Sequence, residues 1–220
     1  MSIDLIEIYN RLLNRFGKQN WWPAETEFEI IIGAILTQAS NWRNVERAII
    51  NLRENDLLSP KAILGVDENK LKELIRPAGY YNEKAKKIKA FVRFLHENYD
   101  GNLDKFLRLD AEKLREELLS IYGIGPETAD SIILYASNKP SFVIDAYTKR
   151  IMSRLGFANE DTSYHDLKKF FELRLPKDLE IYKEFHALLV ELGKTHCKVR
   201  PKCDECPLND ICESQNERDI

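Results

Sequence analysis

Leu118-Leu-Ser-Ile-Tyr-Gly-Ile-Gly-Pro-Glu-Thr-Ala-Asp-Ser-Ile-Ile-Leu-Tyr-Ala-Ser-Asn-Lys-Pro-Ser-Phe-Val-Ile-Asp145 holds two amphipathic segments joined by Gly123-Ile124-Gly125-Pro126 and followed by one carboxylate. Leu114, Leu118 and Ile121 recur at helical spacing before the glycines, and Ala129, Ile132, Ile133 and Ala136 recur after them. This predicts a helix, a tight turn and a second helix. Gly123 and Gly125 supply positive φ or close backbone approach, and Pro126 suits the first turn of a helix. Unpaired N–H groups at such a turn point outward, where a phosphate satisfies them.

Outward from the hairpin, the 3.6-residue period continues in both directions. Ile3, Leu5, Ile6, Ile8, Leu12, Leu13 and Phe16 predict an opening helix that ends near Gly17. Asn20-Trp21-Trp22-Pro23 is an aromatic loop, read as a packing plug or as rings facing a flat ligand. Thr26 and Glu29 have capping-box spacing ahead of Phe28, Ile31, Ile32, Ile35 and Leu36. Ser59-Pro60 and Asp67 open two short helices. Gly79-Tyr80-Tyr81-Asn82 starts a long one, with Ala85, Ile88, Phe91, Val92 and Leu95 inside and its lysines outside. Three more helices follow Asp145. Ser141 to Ile144 is the one strand-like run, too short to found a sheet. The expectation is an all-α chain of about ten helices, with a disordered tail from Glu213 to Ile220.

Composition narrows the function classes. In 220 residues, 44% hydrophobic and 31% charged with 9 glycines, no uninterrupted apolar run reaches membrane length. A cytosolic protein with no membrane partner is expected. A net charge of −3 argues against a protein that coats nucleic acid by bulk charge. Yet the cations are gathered: Lys84, Lys86, Lys87, Lys89 and Arg93 form one run, and Lys194, Lys198, Arg200 and Lys202 another. Beside a phosphate-type hairpin, two such runs suggest a localised DNA footprint.

All four cysteines lie near the C-terminus as Cys197-x5-Cys203-x2-Cys206-x5-Cys212. So tight a cluster in a cytosolic chain points to a metal site rather than to disulfides. Four thiolates suit either a structural zinc or an iron–sulfur cluster.

The hairpin, the downstream Asp145 and the cysteine loop together resemble the helix-hairpin-helix (HhH-GPD) DNA glycosylases of the endonuclease III superfamily. The similarity runs from the opening helix to Cys212. It implies two all-α lobes: a central six-helix barrel over residues 24–138, and a second lobe from 1–23 and 139–212 that carries the loop at 197–212. DNA would lie in the cleft between them, with the target base flipped out of the stack. Relatives bind a [4Fe–4S] cluster through Cys197, Cys203, Cys206 and Cys212. This chain has five residues in the first gap, where six is usual. The cluster would fix a loop whose Lys198, Arg200 and Lys202 meet the phosphate backbone together with Gly123, Gly125 and Thr128. Ile35-Leu36-Thr37-Gln38 resembles the segment whose glutamine fills the gap left by the flipped nucleotide.

By the same resemblance Asp145 is the catalytic carboxylate, stabilising positive charge on the sugar and activating water. Its bland role is an N-cap for the helix that follows. Lyase-competent members place a lysine where this chain has Glu127. A carboxylate forms no imine, so a monofunctional glycosylase is expected, working upstream of an abasic-site endonuclease. Glu127, Trp21-Trp22-Pro23 and Trp42 look most like the 3-methyladenine branch, in which Trp21 or Trp22 and Trp42 would hold a cationic purine between aromatic faces. The alternatives are an oxidised-pyrimidine glycosylase and lyase, a glycosylase for mispaired thymine or uracil, and a non-catalytic DNA-binding module tied by zinc. A monomer at the nucleoid is expected.

Overall fold

The structure, a computed structural model, describes residues 4–159, 161–212 and 214. Ile3, Glu160 and all of the tail from Glu213 to Ile220 except Ser214 lie outside the described residues. The described chain is helical throughout, with no strand: α1 (Leu5–Phe16), α2 (Glu27–Leu36), α3 (Trp42–Glu54), α4 (Pro60–Gly65), α5 (Glu68–Ile75), α6 (Tyr81–Tyr99), α7 (Leu103–Leu107), α8 (Ala111–Ser120), α9 (Pro126–Ser131), α10 (Ala146–Arg154), α11 (Tyr164–Arg174) and α12 (Leu179–Thr195). These twelve α-helices accord with the expectation of about ten, and α4 begins at Pro60 after Ser59 as the sequence predicts.

Local chemistry sets the boundaries. Asp4, Asn41, Ser59, Asp67, Asp110, Ser163 and Asp178 each accept a backbone N–H at the start of a helix. Thr26 does so for Glu29 N at 3.2 Å, but the expected capping box is not reciprocal. The Glu29 carboxylate is buried and takes Arg53 Nη2 at 2.7 Å. Gly17, at φ 71°, closes α1.

Two compact units divide the chain, Trp22–Lys139 and the discontinuous pair Met1–Trp21 with Pro140–Ile220. In the first, Phe28, Ile31, Ile32, Ile35 and Leu36 of α2 pack with Val45, Ala48 and Leu52 of α3 and with Ile88, Phe91 and Leu95 of α6. Its six longest helical segments are α2, α3, α5, α6, α8 and the run of α9 into a π-helical turn at Ile132–Ala136. A single α-helix was expected there. The widened turn is buried over its whole length. In the second unit Phe142 stacks on Phe171 at 4.1 Å and 10°, with Tyr182 and Phe185 edge-on to Phe142. The run Ser141–Ile144 forms no strand and is held by side chains, with Phe142 N donating to Glu172 Oε1 at 3.0 Å and Ile144 N to the Tyr164 hydroxyl at 3.4 Å, and Phe142 is buried in this aromatic core.

The expectation that the α6 lysines all face outward fails at two positions. Lys84 and Lys89 are 2% and 6% exposed. The Lys84 ammonium donates to Leu36 O and Ala78 O at 2.8 Å each, while Lys89 donates to Ile63 O at 2.7 Å and Val66 O at 2.5 Å. Both close the carbonyl ends of neighbouring segments, a use of lysine that needs burial rather than solvent. Burial lowers Lys84 from 10.5 to about 8, with Lys87 adding repulsion. The unfolded chain therefore binds more protons than the folded one between pH about 8 and 10.5, and stability rises with pH over that window. Tyr99 and Tyr182, raised to about 12, act oppositely above pH 10. Urea midpoints should climb from pH 8 to 10 in the wild type and lose much of that rise in Lys84→Met.

Candidate functional site

Helices α8 and α9 meet at the glycine turn, braced by Arg115, whose Nε and Nη2 reach the buried Asp130 carboxylate at 2.8 and 3.2 Å. Gly123 stands at φ 80°, and a Cβ there would lie 2.3 Å from Lys87 Cγ, so both left-handed backbone and close approach require glycine. Gly125 differs from expectation. Its φ is −93°, and an added Cβ meets nothing within 4 Å, so the chain's own packing does not demand glycine there. That leaves open space over the turn. Glu127 is exposed on the first turn of α9.

Gln38, the expected gap-filling residue, is engaged with this turn. Its amide nitrogen donates to Gly123 O at 3.0 Å and to Thr128 Oγ1 at 2.9 Å, and its amide oxygen accepts Lys87 Nζ at 2.5 Å. Thr128, expected on phosphate, is 6% exposed with its hydroxyl held by that amide. The α6 basic run thus offers less charge than the sequence suggested. Lys84 and Lys89 are interior, and Lys86 pairs with Glu83 at 2.6 Å. Lys87 is the lysine laid across the turn.

The three tryptophans separate. Trp22 packs edge-on to Trp42 at 5.5 Å and 89°, against Tyr135 at 5.5 Å, and over Gly33, where a Cβ would lie 3.0 Å from the indole. Trp22, Pro23 and Trp42 line a recess with Glu29, Glu46 and Arg53. Trp21 belongs to the other unit, where Lys194 Nζ lies 5.8 Å from its ring centre. A unit boundary between adjacent residues leaves no local sequence signal. The sequence places Tyr80 only in the turn that starts α6 and gives it no role of its own. It is 74% exposed at φ 46°, left-handed backbone that a bulky side chain rarely adopts.

Asp145 is the N-cap of α10: Oδ1 accepts Thr148 N at 2.7 Å, while Oδ2 lies 3.9 Å from His186 Nε2. Burial lowers the His186 pKa, outweighing the pull of the carboxylate, so the imidazole is neutral at pH 7 and leaves the carboxylate's charge uncancelled. The same helix reaches the cysteine loop at its other end. Arg150 Nε donates to Cys197 O at 2.9 Å, and Arg154 donates to Lys198 O at 2.6 Å and to Cys197 Sγ at 3.3 Å. The Cys212 thiol donates to Arg154 O at 3.3 Å. From α1, Arg11 grips Asp210 with two bonds of 2.7 and 2.8 Å.

Among the described residues no three His, Cys, Asp or Glu side chains are grouped to hold a single metal ion. The four partly buried thiols nonetheless lie near one another. The Cys206 thiol is pushed up to about 11, first by burial and further by Cys197, Cys212 and Cys203. Four cysteine thiols within one short segment are the donor set that holds an iron–sulfur cluster, and the residues present fit that group. Lys198, Arg200 and Lys202 are all exposed on this loop. Arg154→Ala should speed bleaching of cluster absorbance by a chelator several-fold, because it frees the first cysteine's sulfur and the backbone carbonyls of Lys198 and Val199 that follow it.

Residues 32–177 match the HhH-GPD superfamily base excision DNA repair protein family. This chain belongs to that family. Residues 199–212 match the iron-sulfur binding domain of endonuclease III. The putative DNA repair glycosylase MJ1434 of Methanocaldococcus jannaschii is 56% identical over 213 residues, 96% of each chain. The thymine-DNA glycosylase of Aeropyrum pernix is 30% identical, covering 87% of this chain and 84% of its own. Among solved structures, H. pylori 3-methyladenine DNA glycosylase (MagIII) bound to 1,N6-ethenoadenine is 30% identical with a TM-score of 0.77, over 87% of this chain and 98% of that one. The HhH-GPD chain described here is therefore a DNA glycosylase of base excision repair with the endonuclease III fold and a [4Fe–4S] cluster. No described helix is long and apolar enough to cross a membrane.

Proposed function

We propose that this glycosylase is monofunctional and acts on alkylated purines such as 3-methyladenine in double-stranded DNA. The observation that carries the first half is the carboxylate of Glu127 on the first turn of α9, where a lyase would need an amine. Asp145 supplies the second carboxylate. As the C1′–N bond breaks, its electron pair leaves with the base, and the Asp145 charge stabilises the sugar cation. Water then bonds to C1′ and gives its proton to Asp145, and an abasic site is left for a separate endonuclease. Cys197, Cys203, Cys206 and Cys212 hold the cluster, which supplies a fixed loop rather than chemistry. Lys198, Arg200 and Lys202 on that loop and Lys87 of α6, laid across the hairpin turn, take the backbone.

The substrate half rests on the aromatic recess of Trp22 and Trp42 and on the likeness to the 3-methyladenine enzyme. The faces of these indoles, not their edges, are electron-rich, and a cationic purine with an already weakened glycosidic bond laid on one of them is favoured. A second reading, mispaired thymine or uracil, is favoured by the likeness to the thymine-DNA glycosylase. We also infer a monomer working in the cytoplasm at chromosomal DNA.

One assay separates these. Duplexes carrying methylated purines, a G·T mispair, a G·U mispair or thymine glycol are incubated with the enzyme, free bases are separated by chromatography, and strands are scored before and after hot alkali. Release of 3-methyladenine with breaks only after alkali supports the proposal. Release of thymine or uracil instead moves the substrate, and efficient borohydride trapping on an abasic duplex would overturn monofunctionality.

A further inference from the structure

Gln38 is held on the hairpin by three hydrogen bonds, which is an odd place for a side chain that fills a gap in DNA. The donors and acceptors are specific. Two bonds are neutral, from the amide to Gly123 O and Thr128 Oγ1, and the third is charge-assisted, from Lys87 Nζ to the amide oxygen. Lys87 reaches that oxygen by running its aliphatic stem directly over Gly123, into the space a Cβ would take, with Cγ, Cδ and Cε within 2.3, 2.6 and 2.7 Å of it. The ammonium is thereby carried over the turn, and a Cβ at Gly125, two residues on, would meet nothing within 4 Å.

We propose that Lys87 and Thr128 are positioning residues that store Gln38 on the hairpin in the free enzyme and release it when the hairpin takes a DNA phosphate. The exchange is one acceptor for another. A phosphate oxygen replaces Gln38 Oε1 on the Lys87 ammonium, which removes the strongest of the three bonds. The amide is then held by two neutral bonds of modest net strength and leaves for the duplex. Backbone grip and gap filling become one linked event, so the glutamine enters DNA only where the hairpin is seated. This inference rests on the gap-filling role of Gln38.

The test follows insertion by stopped-flow fluorescence of 2-aminopurine placed beside the target nucleotide, with full-length holoenzyme. Thr128→Val keeps shape and removes one storage bond. It should speed the insertion phase about fivefold, the value of one neutral hydrogen bond, without weakening DNA binding. Lys87→Met keeps the stem over Gly123 but removes the strongest storage bond, so it should speed the insertion phase of bound enzyme at least as much as Thr128→Val while making the salt dependence of binding shallower by about 0.9 in log–log slope, the share of one phosphate. In a Gln38→Ala background, Thr128→Val should have no effect. If Gln38→Ala leaves both the fluorescence change and excision intact, the gap-filling role itself fails. If Gln38→Ala abolishes the change yet Thr128→Val slows insertion or weakens binding, Gln38 only braces the hairpin and the storage proposal is overturned.

Discussion

Asp145→Asn is expected to cut single-turnover base excision by about 10³-fold or more while leaving DNA affinity and thermal stability within a few-fold and a few degrees of wild type. The substitution isolates charge from structure. Asparagine caps a helix as well as aspartate does, so its Oδ1 can keep the 2.7 Å bond from Thr148 N. What it cannot do is stabilise a sugar cation or accept the water's proton. Burial lowers the His186 pKa, so the imidazole 3.9 Å from Asp145 Oδ2 does not offset the change as a cation. An Asp145→Asn enzyme that excised at the normal rate would reduce Asp145 to a capping residue. Excision is measured as free base released per enzyme, and capping by the melting temperature.

Cys206→Ser should be as damaging through a different route. Loss of one ligand should remove the cluster, and with it the visible absorbance, and release the loop from Cys197 to Cys212. A loop of this size has little core of its own: Leu208 is its one deeply buried apolar side chain. Ligation supplies folding energy that packing does not. With Lys198, Arg200 and Lys202 no longer held, DNA affinity should fall at least tenfold at moderate salt, and the log–log salt slope should become shallower by about 0.9 for each phosphate no longer neutralised. Retained colour with normal salt dependence would show that Cys206 is dispensable as a ligand.

Much of this architecture was legible because helical periodicity and hairpin chemistry are local. Leu114 to Ala136 could be read as two helices about a turn without knowing what lay beneath them. The errors have one origin: side chains whose partners are distant in sequence. Lys84 and Lys89 looked like solvent-facing charge, though they flank Ala85 and Ile88 on the buried stripe of α6. A charge on that stripe was the available warning. Gly125 was read by analogy with Gly123, but only the latter turns left-handed. Gln38 could be placed near DNA by its surrounding string, whereas its bonds to Gly123, Thr128 and Lys87 link three segments 85, 90 and 49 residues away. Adjacent Trp21 and Trp22 part because a unit boundary falls between them.

The Arg11–Asp210 pair joins side chains 199 residues apart, and both arms belong to the discontinuous unit. On the ribosome this separates the two units in time. Trp22–Lys139 is a continuous segment that can collapse as soon as it has emerged, since domains tend to fold as units during synthesis. Helix α1, made first, must wait with its apolar face uncovered until α12 and the cysteine loop arrive. Cluster loading at the loop from Cys197 to Cys212 thereby comes after the continuous unit Trp22–Lys139 has been made, because that unit precedes all four cysteines in the chain.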